Sequence, residues 1–551
     1  METNRQFVLF IVALWLCAPV RVVAQAQPDG RYLVLLRDKA SSPFSTARPE
    51  QFLSARAIAR RTKQNIAVTE RDLPVNPGYL SQIRATGAEV LYSSRWLNAA
   101  LIRTSSATLQ RVLALPFVRG LEYNRAMGNA RIATPSEPTS SAAQKFGETA
   151  ATPLPYGPSL DQLSQLGLDQ LHERGFRGEG MLVAILDSGF PNTNTLPFFA
   201  PLVSEKRIVT TYDFITNNAN VYDDHSHGLN VLSIMAATAD NRLYGGAYKA
   251  SYALFRTEDA FSESPIEEAY WLLGAERADS TGADVINSSL GYNEFDPEFA
   301  ALDHTQADMD GRTTLVSRAA QWAAETGIAV VVSAGNEGNK PWRSITAPSD
   351  AVDVLAVAAT TPTNERAAFS SFGPSADGRV KPDVAARGQS TLIGTPSGGV
   401  SSGSGTSFAG PLIASLVTTL WQAYPQLTAR EILGVVRRAG SQAQAPDDQL
   451  GYGIPTFERA ARLTERFSFT LASPNPFSDT DFLTVPWGEI PAVNTLQAQL
   501  TDVAGRVVWQ QTLSAERTIT LSFRQLGLPS GIYLLSLSDG NKRTTVRLLK
   551  R

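Results

Sequence analysis

Four side chains stand where they could act together on an acyl group. Asp187 ends the apolar run MLVAILD, His227 follows the polar turn of DDHSHG, Asn336 ends GIAVVVSAGN, and Ser407 lies in GSGTSFAGP. A serine hydroxyl is a weak nucleophile until a base takes its proton. An imidazole titrates near neutrality and suits that task. A carboxylate behind it fixes the tautomer and stabilises the imidazolium, and an amide donor can stabilise a tetrahedral oxyanion. Taken singly, Asp187-Ser188-Gly189 and Ala334-Gly335-Asn336 are ordinary turns.

Histidine narrows the search, because the chain has only four. His172, in LDQLHERG, and His304, in ALDHTQ, are expected at the surface, since no apolar strand delivers either to a rim. His225 and His227 fall where a polar turn enters an apolar helix. Gly228 follows His227 and leaves room for its ring at the helix start, so His227 is the expected base; His225 lacks that glycine. Ser407 stands where a glycine turn becomes the apolar run LIASLVTTLW, with Pro411 expected in the first helical turn. Small neighbours admit both a substrate backbone and a base. A flexible linker of that composition would not run at once into a buried helix.

The elements that must position these groups are legible as runs. MLVAILD, ADVINSSL, GIAVVVSAGN and DVLAVAAT are near-continuous hydrophobic stretches, as strands buried on both faces should be. Alternating with helical segments, they argue a parallel sheet covered on both sides, in which sites form beyond the carboxyl ends of the strands. The fold class expected is therefore α/β, between residues 160 and 465. Positions 31–124 read as a small α+β unit, and 126–159, rich in Ala, Ser, Thr, Pro and Gly, as a linker. After Arg466 alternating strands and turn signals such as DVAGR, LPSG and SDGNK describe an all-β module.

Composition sets outer limits. The 551 residues suggest roughly three or four domains, and 43% hydrophobic with 18% charged residues describes globular material. With 49 Lys and Arg against 52 Asp and Glu, the net charge of −3 gives no electrostatic case for nucleic acid. Residues 1–26 read as a secretory signal peptide, with Arg5, an apolar core and the small exit Ala24-Gln25-Ala26. The single cysteine, Cys17, lies inside it, so disulfides and thiolate metal sites are excluded from the mature chain.

From VAILDSG through HGLNVLS and AGNEG to GTSFAGP, the order Asp, His, Asn, Ser resembles the subtilases, the subtilisin-like serine peptidases. The resemblance implies a secreted serine endopeptidase with Asp187 as acid, His227 as base, Ser407 as nucleophile and Asn336 as oxyanion donor. It also implies that Ser289-Leu290-Gly291 pairs with the substrate backbone as an added strand. The family continues its base as HGTHVAG, whereas this chain carries Asn230 and Ser233, so packing behind the base must differ. Residues 27–125 resemble the family's inhibitory propeptide, and 466–551 a C-terminal β-sandwich sorting domain read by type IX secretion. The partners implied are polypeptide substrates, the chain's own propeptide and outer-membrane secretion machinery, with a monomer expected. No cofactor is implied; structural calcium is common in the family, but no EF-hand loop places an ion. An α/β-hydrolase would need a histidine after the serine, and all four precede Ser407. HSH lacks the HExxH pattern of a zinc hydrolase. The alternative from another class is an inactive subtilase serving as a surface binding scaffold.

Overall fold

The computed structural model describes residues 29–129, 155–464 and, apart from short loops, 477–551. The expected signal peptide and residues 130–154 of the expected linker lie outside the described residues.

The N-terminal unit is an antiparallel sheet of β1 (Gly30–Leu36), β2 (Glu89–Ser94), β3 (Ala99–Thr104), β4 (Val118–Leu121) and β5 (Gly128–Asn129), in the order β2-β3-β1-β4 with β5 also on β1. The linker expected from residue 126 thus begins later, because 128–129 still hold ladder pairs with Gly30 and Arg31. Three helices accompany the sheet: α1 (Ala55–Lys63), α2 (Pro77–Ala85) and α3 (Ser106–Leu113). After Arg31, the run YLVLL is apolar because its two faces meet different partners. Val34 and Leu36 pack with Ile83 of α2 and Val112 of α3, while Leu33 and Leu35 join the core of the central unit, as the alternation of a strand requires.

The central unit is a seven-stranded, wholly parallel sheet. Its strands are β6 (Leu182–Asp187), β7 (Ile208–Asp213), β8 (Ser251–Arg256), β9 (Val285–Ser288), β10 (Ala329–Ser333), β11 (Leu355–Thr360) and β12 (Val384–Arg387), in the order β12-β11-β10-β9-β6-β8-β7. On one face, α4 (His227–Ala236) and α7 (Thr406–Ala423) pack over Val183, Ile185 and Val331. On the other, α5 (Ile266–Thr281) and α6 (Leu315–Glu325) pack over Ala184, Leu186 and Val330. Full burial on both faces is why β6, β9, β10 and β11 lie in near-continuous hydrophobic runs.

The C-terminal unit is all-β and has its own core, including Leu483, Leu496, Leu535 and Leu548. It comprises β13 (Phe482–Pro486) paired with β16 (Thr518–Ser522), and a four-stranded antiparallel sheet of β14 (Thr495–Asp502), β15 (Val507–Ser514), β17 (Gly531–Ser538) and β18 (Arg543–Lys550).

The N-terminal unit docks on α5 and α6. Trp96, Leu101 and Met127 share a buried cluster with Ile266, Tyr270 and Leu273, and Ile266 N–H donates to Met127 O at 3.0 Å. The C-terminal end of α5 concentrates the charge. Asp279, fully buried, takes ion pairs from Arg60, Arg61 and Arg95 of the docked unit. Burial opposes its ionisation, but the three guanidinium groups outweigh burial and hold its carboxyl below the usual range. Arg56 and Arg60 donate to the carbonyls of Gly282 and Ala283, which also suits the negative end of a helix dipole.

Removing one partner from a buried ionic cluster strands the remaining charges, at a cost of about 3 kcal/mol or more. Asp279→Ala is therefore expected to weaken binding between separately expressed residues 29–129 and 155–551 by roughly 100-fold. Calorimetric titration measures it, and an unchanged Kd would mean that this carboxylate does not organise the interface.

Candidate active site

β6 runs through the interior of the sheet and delivers Asp187 to its C-terminal rim, where the side chain is fully buried. Asp187 Oδ1 accepts the Ser188 N–H at 2.8 Å and His227 Nδ1–H at 2.7 Å. Its Oδ2 is buried without a hydrogen-bond partner among the described residues. His227 opens α4, and Gly228 allows that helix to reach the carboxylate. A Cβ at Gly228 would lie 2.4 Å from Gly189 O and 2.9 Å from Asp187 Cβ. Burial disfavours the imidazolium, yet the charge and hydrogen bond of Asp187 prevail and raise the His227 pKa above its ordinary value. With Nδ1 committed to Asp187, Nε2 is the nitrogen left to exchange a proton.

Ser407 is the second residue of α7. The His227 ring lies beside that of Phe408, with centroids 5.9 Å apart. Ser407 Oγ has no hydrogen-bond partner among the described residues; such bonds are often long before substrate binds and tighten around it. Ser407 is buried, and glycine at 405 spares its hydroxyl further crowding, since a Cβ there would lie 2.8 Å from Ser407 Oγ and 3.9 Å from Asn336 Nδ2. Asn336 is held by its oxygen. Oδ1 accepts from Thr406 N–H at 2.9 Å and Thr406 Oγ1–H at 3.0 Å, which leaves the Nδ2 donors directed away from Thr406. Thr406 was not singled out in the sequence, although it lies inside GTSFAGP.

Pro411 is the sixth residue of α7, not part of its first turn. Lacking an N–H, it leaves the Ser407 carbonyl without its helical donor, and Ser289 Oγ–H supplies one at 2.9 Å. The Ser289 side chain is therefore engaged inside the protein, and only the backbone of 289–291 remains to meet a ligand. Leu290 is buried beside it, and Gly291 is exposed at the rim.

Asn230 and Ser233 on α4 clasp the strand Thr391–Gly394. Asn230 Nδ2–H donates to Gly394 O at 2.7 Å, Gly394 N–H donates to Ser233 Oγ at 2.7 Å, and Ser233 Oγ–H donates to Asn230 O at 2.6 Å. The altered packing behind the base is thus a closed polar network. Arg256 is a residue the sequence did not reveal. It is in register with Asp187 on the neighbouring strand, is buried, and pairs with Asp213 at 2.9 Å and Asp224 at 2.8 Å, tying down the turn before His227.

Two histidines depart from expectation. His172 is fully buried, between Tyr156 Oη at 3.0 Å and Gly246 O at 2.9 Å, and burial lowers its pKa to about 4. His304 is also buried and pairs with Glu268 at 2.6 Å; burial opposes its charge, but Glu268 prevails and raises its pKa. Both serve packing, since tertiary contacts enclose polar segments that look exposed in isolation. His225 faces Ser188 Oγ at 3.2 Å rather than Asp187. Among the described residues, Glu258, Glu263 and Glu267 are the carboxylates grouped closely enough to share a cation, with oxygens within 4.8 Å. Burial raises all three pKa values, helped by the neighbouring carboxylates of the group at Glu258 and Glu267 and by Asp296 at Glu263, and an acidic group alone does not place calcium.

A parallel α/β sheet that presents a serine at a helix start, a histidine on a buried carboxylate and an oriented amide at one rim has the makings of a serine hydrolase. Comparison with known proteins narrows the class. The Subtilase family matches residues 178–453, about half of the chain, and the chain belongs to that family of serine endopeptidases. A peptidase S8 propeptide domain of Bacteroidota matches 31–141, and a secretion system C-terminal sorting domain matches 473–551. The chain is similar to a subtilisin of Bacillus pumilus, 28% identical over 284 residues, covering 51% of this chain and 90% of the relative. Subtilisin DY of Bacillus licheniformis is 28% identical over 304 residues, 55% of this chain and 96% of the relative. A probable subtilase-type serine protease of Deinococcus radiodurans is 26% identical over 369 residues, 59% and 46% of the two chains. With its sorting domain, the protein is secreted and belongs at the cell surface.

The raised His227 pKa gives a signed prediction. A base must be neutral to act, so activity should fall as pH drops through that raised pKa. Asp187→Asn removes the opposing charge and leaves burial to depress the imidazole. The acid limb of kcat/KM should therefore move to lower pH while kcat falls about 10⁴-fold. An acid limb that stays in place would show that Asp187 does not set the state of His227.

Proposed function

We propose that this protein hydrolyses internal peptide bonds of polypeptides through an acyl-enzyme. Ser407 Oγ attacks the scissile carbonyl, His227 Nε2 takes its proton and later delivers it to the leaving amine, and Asp187 holds the imidazole and stabilises its charged form. The oxyanion is met by Asn336 Nδ2–H and by the Ser407 N–H, a first-turn helix donor without an intrahelical acceptor. Water then releases the acyl group by the same route. The backbone of Ser289-Leu290-Gly291 pairs with the extended substrate on the acyl side. The observation that carries this reading is the 2.7 Å bond from His227 to the fully buried Asp187. It commits one nitrogen and leaves the other for Ser407.

In this reading residues 29–129 restrain the enzyme before maturation. They cover α5 and α6 and end at Ile266, at the start of the helix that follows β8. Release follows cleavage of the chain beyond residue 129. The C-terminal unit is the signal for outer-membrane passage, with the secretion machinery as its partner. No cofactor takes part in the proposed chemistry.

Ser407→Ala is expected to abolish both casein hydrolysis and labelling by a serine-directed phosphonate without changing the circular dichroism spectrum. Asn336→Ala should lower kcat about 10²–10³-fold with KM little changed. Undiminished cleavage by Ser407→Ala would overturn the mechanism, and a wild-type protein that neither cleaves nor labels would indicate a binding scaffold instead.

Removing residues 467–551 should leave an enzyme that folds and cleaves yet accumulates in the periplasm of a host with type IX secretion. Fractionation with activity measured in each compartment decides this. Normal export of the shortened enzyme would remove the sorting role.

A further inference from the structure

A ring of hydrogen bonds ties α4, which carries the base, to the segment that leads into α7, which carries the nucleophile. Both polar backbone groups of Gly394 are taken by side chains of α4. Its carbonyl accepts from Asn230 Nδ2–H at 2.7 Å, its N–H donates to Ser233 Oγ at 2.7 Å, and Ser233 Oγ–H closes the ring on Asn230 O at 2.6 Å. The contact has no slack, since a Cβ on Gly394 would lie 2.7 Å from Phe198 Cζ and 3.0 Å from Ser233 Cβ. Histidine and glycine stand at these two positions in HGTHVAG, and a glycine at the second would leave the Gly394 N–H without this acceptor. Beyond Gly394 the chain turns back, with Thr395 N–H donating to Gly399 O at 3.0 Å, and Val400–Gly403 pairs antiparallel with Thr391–Gly394. Ser404-Gly405-Thr406 then runs into Ser407.

This inference rests on the reading that His227 Nε2 takes the proton of Ser407 Oγ. Proton transfer requires the two atoms to come within hydrogen-bond reach, yet one stands at the start of α4 and the other at the start of α7. We propose that Asn230 and Ser233 are positioning residues: through Gly394 and the strand pair behind it, they set the distance between the base and the nucleophile. Asn230 lies one helical turn beyond His227, so the grip on Gly394 acts close to the base. At the other end, a Cβ on Gly403 would lie 3.0 Å from Ile393 Cδ1 and 2.5 Å from Phe408 Cε2. Ile393 and Phe408 share a buried cluster with Leu229 and Leu232 of α4, and the Phe408 ring lies beside that of His227. Opening the ring at either residue frees Gly394 from α4 and lets the two helix starts drift apart. A misplacement of about 1 Å can cost about 100-fold in rate.

Asn230→Leu, Ser233→Ala and the double variant, each expressed as the full chain and matured, test the inference. Two rates are measured, steady-state cleavage of one peptide amide and labelling of Ser407 by a serine-directed phosphonate. Each single variant should lower kcat at least about 10-fold with KM within about two-fold of wild type, and should slow labelling to a similar degree. The double variant should fall no further than the worse single one, because either substitution opens the same ring. The acid limb of kcat/KM should keep its position, since the bond between His227 and Asp187 is left intact. A merely structural role would lower the melting temperature and leave kcat of the folded enzyme in place. Asn230 is half-buried and Ser233 fully buried, so Asn230→Leu keeps the inference testable if Ser233→Ala does not fold. Unchanged kcat in folded Asn230→Leu, losses that multiply in the double variant, or a displaced acid limb would each overturn the inference and leave the peptidase mechanism standing. A wild type that neither cleaves nor labels would overturn the mechanism and this inference with it.

Discussion

The bond between His227 and Asp187 constrains everything around it. A carboxylate without solvent is tolerated only when its charge is compensated, and Asp187 is compensated by one imidazole and the Ser188 N–H. Its burial requires that β6 be flanked by β8 and β9 and covered on both faces. The partner stands 40 positions away at the start of α4, which approaches closely because Gly228 has no side chain. Arg256, in register on the next strand, then anchors the turn that brings His227 into place. The site is thus a property of the sheet's rim and of the loops leaving it.

The same sheet explains the docking of the N-terminal unit. α5 and α6 bury one side against the strands and offer the other to β1 and β3, so two hydrophobic clusters become one. Polar groups extend the contact inward. Tyr123 Oη–H donates to Glu268 Oε2 at 3.0 Å and accepts the Leu315 N–H at 2.9 Å, while Glu268 Oε1 holds His304. The docked unit therefore completes a hydrogen-bond network within the central unit as well as neutralising Asp279. Glu276 is another example, since its carboxylate accepts from Ser94 Oγ, Arg95 N–H and Trp96 N–H. Its pKa is nonetheless raised, chiefly by burial.

Legibility in the sequence followed the range of the interactions. MLVAILD and GIAVVVSAGN announced buried parallel strands because burial on both faces leaves a strand almost wholly apolar up to its C-terminal end. The small residues around Ser407 announced close approach. His172 and His304 looked exposed because their neighbours in sequence are polar, while the groups that enclose them, Gly246 and Glu268, lie far along the chain. Pro411 looked like a first-turn residue because nothing local shows that Ser289 supplies the missing donor to the carbonyl of Ser407.

By itself the sequence determined the α/β class, the order of the strands along the chain, and the residue types able to perform acyl transfer. These follow from periodicity and from the chemistry of side chains, both of which are local. The tertiary structure alone decided the strand order across the sheet, and the packing of Thr406 onto Asn336. It also decided that His172 and His304 are buried, and that Arg256 pairs with Asp213 and Asp224 beside the site. Each of these joins positions that are distant in the chain, and only the folded backbone brings such groups within the few ångströms over which hydrogen bonds and steric exclusion act.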